Sequence, residues 1–200
     1  MNDRLYKKLF SGMPEVDCGR VILRPYRESD VCDFNEYMRE ESVAQYLTWY
    51  PHLNLHDTKG YVEFMIRNYR KCIPSDWAVV LKKTGKVIGN CGFTSVDLHN
   101  ECAELGYVLS RAYWGQGLMD EAMAGVLSVC FDVLEAHRAI LRIMEGNEHS
   151  RAFAERNGFR LEGTFVNSAF IKGGYRTVCV YAMLEQEYRQ NRPSGRLFMT

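Results

Sequence analysis

The chain lacks an excess of charge of either sign: 25 Lys and Arg stand against 25 Asp and Glu in 200 residues. That balance excludes the broad basic field by which nucleic-acid binders gather phosphate, leaving at most a local patch. Prolines are few, five in all, and no segment is of low complexity. No apolar run approaches the ~20 residues of a membrane helix, and the opening stretch Met1–Lys8 lacks the apolar core of a signal peptide. The seven cysteines are an odd set, and no two stand at the two-residue gap of a metal knuckle or redox motif. Several sit in apolar runs, such as Val126–Phe131 around Cys130, where a thiol behaves as a small hydrophobe. These absences predict a reduced, cytoplasmic protein.

Other catalytic signatures are missing too. His52 and His56 stand four apart beside Asp57, but no Glu occupies the metalloprotease position and Pro51 argues for a loop, so no metal is expected. There is no Gly-x-Ser-x-Gly hydrolase elbow. What is present is ordinary globular composition, 46% hydrophobic and 12% aromatic, in a chain long enough for one core. We read residues 1–19 as a leader, 20–188 as a single domain and 189–200 as a tail.

Hydrophobic spacing orders the domain. Arg20–Arg24 reads as a strand stopped by Pro25. Ser29 and Asp30 introduce a helix through Val31, Phe34, Tyr37 and Met38; Asp57 and Thr58 introduce a second through Tyr61, Phe64, Met65 and Tyr69. Three strands follow at 77–81, 86–96 and 102–109, separated by turn residues, as in an antiparallel meander. A long helix then carries Met119, Met123, Val126, Leu127, Cys130, Phe131 and Leu134 on one face. A strand at 139–144, a short helix at 150–157 stopped by Gly158, and strands from Phe159 and from Arg176 complete the chain. The fold class is mixed α/β around one central sheet.

The segment with most chemistry runs from Leu105 to Met119, where a strand enters a short loop bearing Gly115 and Gly117 and opens the long helix. Glycines allow close approach to a bulky anion, and the first-turn amides and dipole of a helix supply unpaired donors and partial positive charge. The same two glycines also suit a plain tight strand-to-helix connection. No Gly-Lys-Ser/Thr follows and a third glycine is absent, which excludes a P-loop and the dinucleotide fingerprint. One strand later, Asn147 is placed to cap the next helix, with Ser150 and Ala154 on the same side.

In these segments the chain resembles the GNAT superfamily of acyl-CoA-dependent N-acetyltransferases. It looks most like the branch of ribosomal-protein N-terminal (serine/alanine) acetyltransferases. The likeness spans about residues 20–188 and is carried by Val21-Ile22-Leu23-Arg24-Pro25, Ala103-Glu104-Leu105-Gly106-Tyr107, Tyr113-Trp114-Gly115-Gln116-Gly117, Asn147 with Ser150, Asn157-Gly158-Phe159 and Leu161-Glu162-Gly163. It implies a GNAT fold, a mostly antiparallel sheet of about seven strands with helices on both faces.

The resemblance also implies site residues. The pyrophosphate of acetyl-CoA would sit on Trp114, Gly115, Gln116, Gly117, Leu118 and Met119, and the pantetheine arm would pair with the backbone of Tyr107, Val108 and Leu109. Asn147, Ser150 and Phe153 would line the thiol end. Many superfamily members carry an acid tyrosine where this chain has Ala154, which leaves Ser150 as the nearest hydroxyl for the departing thiol.

Acetyl transfer needs a neutral amine, and an α-amine is ~15% neutral at pH 7 against about one part in 2,500 for a lysine-type amine. An N-terminal acceptor therefore needs only a modest base. Glu104, on the strand flanking the cofactor, is the candidate, with Glu162 or a water as alternatives, and an amide near Val108 is the expected oxyanion donor. The loop Tyr46–His52 is a candidate acceptor wall, and Trp49, Tyr50 and Trp77 are either pocket or core aromatics. The expected partners are acetyl-CoA and a primary amine, with no nucleic acid and no membrane; a homodimer is left open. The preferred acceptor is a protein N-terminus. The alternatives are a small amine (polyamine or antibiotic) or a non-catalytic acyl-CoA-binding module.

Overall fold

The computed structural model describes residue 1 and residues 3–191. The sheet is built from β1 (Val16–Asp17), β2 (Val21–Arg24), β3 (Asp76–Leu81), β4 (Lys86–Asp97), β5 (Cys102–Leu109), β6 (Arg138–Met144), β7 (Arg160–Ile171) and β8 (Gly174–Leu184). Its eight strands lie in the order β1-β2-β3-β4-β5-β6-β8-β7. Every neighbouring pair is antiparallel except β5 and β6. The two-residue β1 accounts for the strand beyond the seven expected from the sequence.

In β3 all of Trp77, Ala78, Val79 and Val80 are buried, so both faces of the sheet are covered there. One face carries α5 (Leu118–Ser128), which continues through Val133 as a π-turn. The helix approaches closely at Gly125, where a β-carbon would come within 2.3 Å of Cys18 Sγ and 3.2 Å of Leu23. The other face carries α2 (Val31–Met38) and α4 (Leu55–Arg70); Tyr37 of α2 donates to Asn90 Oδ1 of β4 at 3.0 Å. All seven apolar residues assigned to the inner face of the long helix are buried. Among the described residues no helix is long and apolar enough to cross a membrane.

Several boundaries differ from the sequence reading, two of them for clear reasons. Helix α4 starts at Leu55 rather than near Asp57, because Asn54 Oδ1 caps the amides of His56 and Asp57 at 2.8 and 3.1 Å. The presumed leader holds α1 (Asp3–Gly12) and β1, with Leu9, Phe10 and Met13 buried. Phe10 meets Phe93 edge-on at 5.3 Å, and Trp77 donates to the Pro14 carbonyl at 2.9 Å. A ten-residue helix is marginal alone; this tertiary packing holds it. The one-turn α3 (Glu41–Ala44), α6 (Glu148–Arg156) and α7 (Glu185–Asn191) complete the helices. The presumed tail thus begins as helix, and its residues 192–200 lie outside the described residues.

Candidate active site

The site is created by a fault in the sheet. Strands β5 and β6 pair in parallel from Cys102–Arg138 to Leu105–Leu141 and then part. Beyond Leu105, β5 keeps its pairing with β4 as far as Leu109. Its other edge, at Tyr107, Val108 and Leu109, is therefore free of β6 and open to an extended ligand.

The open edge leads to the α5 loop. Gly115 and Gly117 have φ of 72° and 73°, a left-handed conformation that side chains disfavour, and Gly117 is the N-cap of α5. Leu118 and Met119 are buried, so their contribution to an anion site is through first-turn amides alone. Asp120 and Glu121 also stand in that first turn and would repel a phosphate. Each is matched by an arginine. Arg156 meets Asp120 at 2.8 Å with Asn157 at 2.9 Å, and Arg20 meets Glu121 at 2.6 Å while its Nη2 donates to the Gln116 carbonyl at 2.8 Å. Burial pushes the Asp120 carboxyl up, but Arg156 and Asn157 together hold it below its ordinary value. Trp114 does not point at the loop amides; its indole N–H donates to the Leu109 carbonyl at 2.8 Å and its ring lies 6.3 Å from that of His149.

Helix α6 supplies the other wall. Asn147 Oδ1 caps it by accepting from the Ser150 amide at 3.2 Å, as its place before the helix suggested. Ser150 Oγ lies 2.5 Å from the Tyr107 hydroxyl, and Phe153 packs on the Tyr107 ring at 4.3 Å. Burial raises the Tyr107 phenol far above neutral pH, so it stays protonated and able to donate. The sequence points only to the backbone of Tyr107. Its side chain brings a phenol beside Ser150, although the superfamily's usual tyrosine position is the buried Ala154.

Glu104 lies on the opposite face of β5 from Tyr107, since side chains alternate, and this is the face that α2 and α4 cover. Its carboxylate has no ion pair among the described residues. Glu162 is different: Arg138 at 3.1 Å and Arg160 at 2.7 Å engage it, and the Arg138 hydrogen bond leads in lowering its pKa, which makes it a poor proton acceptor. A β-carbon at Gly146, in the turn before Asn147, would lie 3.6 Å from the Tyr46 ring, so the Tyr46–His52 loop starts beside the site. Trp49 packs tilted on His52 with ring centroids 5.5 Å apart, whereas Trp77 is wholly buried in the core. The His52 ring bonds Thr58 Oγ1 at 2.8 Å. Arg20 and Arg156 had no motif to mark them; only the fold brings them to the loop.

Comparison with known proteins matches this arrangement to one family. A ribosomal-protein-serine acetyltransferase of Escherichia coli (strain K12) is 30% identical over 102 residues, 51% of this chain and 57% of that protein. Spermidine N(1)-acetyltransferase of the same organism is 25% identical over 170 residues, 84% of this chain and 88% of that one. Among solved structures, RimL, a ribosomal L7/L12 α-N-protein acetyltransferase in complex with coenzyme A, superposes with a TM-score of 0.76 at 22% identity, covering 85% of this chain and 97% of that one. The family model for the acetyltransferase (GNAT) domain matches residues 20–160. With that match over most of its length, and a split sheet opening on a glycine-capped helix, the chain belongs to the GNAT family of acetyltransferases.

Proposed function

We propose that this chain transfers acetyl from acetyl-CoA to a primary amine by direct attack in a ternary complex, with a protein N-terminal α-amine as the preferred acceptor. The observation that carries this reading is the unpaired edge of β5 running from the Tyr107–Ser150 pair to the amide-lined start of α5. Amides of the 114–119 loop bind the pyrophosphate, while Arg20 and Arg156 cancel the two nearby carboxylates. Backbone groups of Tyr107, Val108 and Leu109 pair with the pantetheine arm. The amide near Val108 polarises the thioester carbonyl and receives the charge that develops on its oxygen.

Glu104, reached from the other face of β5, takes the proton of the attacking amine, directly or through water. Ser150 hydrogen-bonds the departing sulfur, with the Tyr107 phenol behind it as a donor. The ribosomal-protein acetyltransferase relatives support an N-terminal acceptor, and the spermidine acetyltransferase relative supports a small polyamine as the second reading. Thiol release from acetyl-CoA over a panel of peptides and small amines tests the proposal. Turnover with peptide N-termini above all other amines is the expected result; acetyl-CoA binding without turnover on any amine would leave only a binding module.

A further inference from the structure

The face of the sheet that carries Glu104 holds a second carboxylate. Asp76 opens β3 and pairs with Gly92 of β4, which pairs in turn with Gly106 of β5. The approach at Gly92 is so close that a β-carbon there would lie 2.3 Å from Asp76 Cα. Asp76 is thus positioned by the sheet itself. Strand spacing and rise put its Cα about 12 Å from that of Glu104.

The surroundings of Asp76 are polar but contain no counter-charge. Asn90 Nδ2 donates to its carboxylate, and Asn90 Oδ1 accepts from Tyr37. The Tyr26 hydroxyl helps to hold the carboxylate's pKa down and lies 3.4 Å from that of Tyr61. Tyr69 donates to the Asp76 backbone carbonyl at 2.9 Å. No described basic residue forms an ion pair with Asp76, and the buried Arg24 of the same face is held by both oxygens of Asp30 at 2.7 Å. The negative charge raises the pKa of Tyr26, Tyr37, Tyr61 and Tyr69, behind the larger effect of their burial in the first, third and fourth, and behind burial and Tyr61 in Tyr37.

A carboxylate enclosed by protein without a cation is costly and is usually paired. Yet Asp76 as a residue is not wholly buried. Half-buried Tyr61, whose phenol feels the Asp76 charge, is followed by half-buried His52 and Trp49, with ring centroids 6.1 and 5.5 Å apart. A carboxylate behind aromatic rings is the environment that selects an ammonium group.

We propose that Asp76 anchors a second positive charge on the acceptor, so that the preferred substrate is a primary amine bearing another cationic group several bonds from the reacting nitrogen. This rests on the amine-acetylation reading above and narrows it. Both a basic peptide N-terminus and a di- or polyamine have this chemistry.

The test compares amines matched in length and differing in charge: diaminoalkanes against alkyl monoamines, and peptides with Lys against Leu at the second position. The wild-type protein should favour the dicationic member by about tenfold in kcat/KM. The series that shows the preference identifies the source. Asp76→Asn should abolish the preference and leave acetyl-CoA affinity unchanged. A bis-quaternary alkylammonium, which cannot be acetylated, should compete with the acceptor in the wild-type protein, whereas a mono-quaternary one of equal length should not. This arm needs no variant and decides the matter if Asp76→Asn does not fold. Absence of any charge preference, or a preference that survives in folded Asp76→Asn, overturns the proposal. Lack of turnover on every amine instead defeats the acetylation reading, and calorimetric binding of the bis-quaternary compound still judges Asp76.

Discussion

The Tyr107 hydroxyl and Ser150 Oγ lie 2.5 Å apart, joining β5 to α6 where the sheet splits. The pair closes one end of the open β5 edge and gives the site a protonated phenol that the superfamily's usual position, Ala154 here, lacks.

If the two hydroxyls act as one donor chain, Ser150→Ala and Tyr107→Phe should each lower kcat about 10- to 100-fold and leave acetyl-CoA affinity within about twofold. The double variant should be scarcely worse than the more damaging single one, because both remove the same hydrogen-bond chain. Thiol-release kinetics with calorimetric acetyl-CoA titration check this. Fully additive losses would show that the hydroxyls act separately.

Arg20 cancels Glu121 beside the 114–119 loop and holds the Gln116 carbonyl. Arg20→Ala should weaken acetyl-CoA binding about tenfold with little change in kcat, since it leaves an unpaired carboxylate near the pyrophosphate. Adding Glu121→Gln should restore much of the affinity. A double variant as weak as the single would mean that the Gln116 contact, not the charge, matters.

Gly117 adopts φ 73°, and a β-carbon there would meet Arg20 Nη2 at 3.4 Å. Gly117→Ala should cost about 1–2 kcal/mol of stability from the left-handed conformation alone. It should also weaken acetyl-CoA binding, because the first-turn amides of α5 are aimed by this residue. Thermal denaturation with and without acetyl-CoA separates the two effects.

The two candidate bases are distinguishable. Glu104→Gln should lower kcat/KM for an α-amine by 10²–10⁴-fold, the usual scale of general-base loss. Glu162→Gln should change it by less than about twofold, since Arg138 and Arg160 already hold that carboxylate in its ionised form. A larger loss at Glu162 would reverse the assignment.

Burial pushes the Asp76 carboxyl up from 3.8 to about 6, against the opposing bonds from Asn90 and Tyr26. Between about pH 4 and 6 the folded protein therefore keeps a proton that the unfolded chain has lost, and stability falls as pH rises through that window. The shift corresponds to at most about 3 kcal/mol. Asp76→Asn should raise the unfolding midpoint at pH 8 and leave it nearly unchanged at pH 4. Equal midpoints for the two proteins at pH 8 would show that Asp76 carries no such burden.

The sequence by itself determined the order of the strands and main helices from Val21 to Leu184, because hydrophobic spacing and turn residues are local signals, but it did not mark the short α3 or α7. It also marked the loop at Gly115 and Gly117 and the cap at Asn147, since both depend on the conformational preferences of single residues. It hid α1, whose ten residues are held by Phe93 and Trp77 far along the chain rather than by their own propensity. Only the tertiary structure decided where β5 and β6 part, because strand pairing is a relation between distant segments. The same is true of the contacts that complete the site. Arg20 reaches Glu121 across 101 residues, Tyr107 reaches Ser150 across 43, and Asp76 meets Asn90 across 14. A charge count of 25 against 25 could not reveal that two arginines silence the acids in the first turn of α5 while Asp76, among the described residues, has no ion pair. Composition records how many charges a chain carries, and folding decides which of them meet.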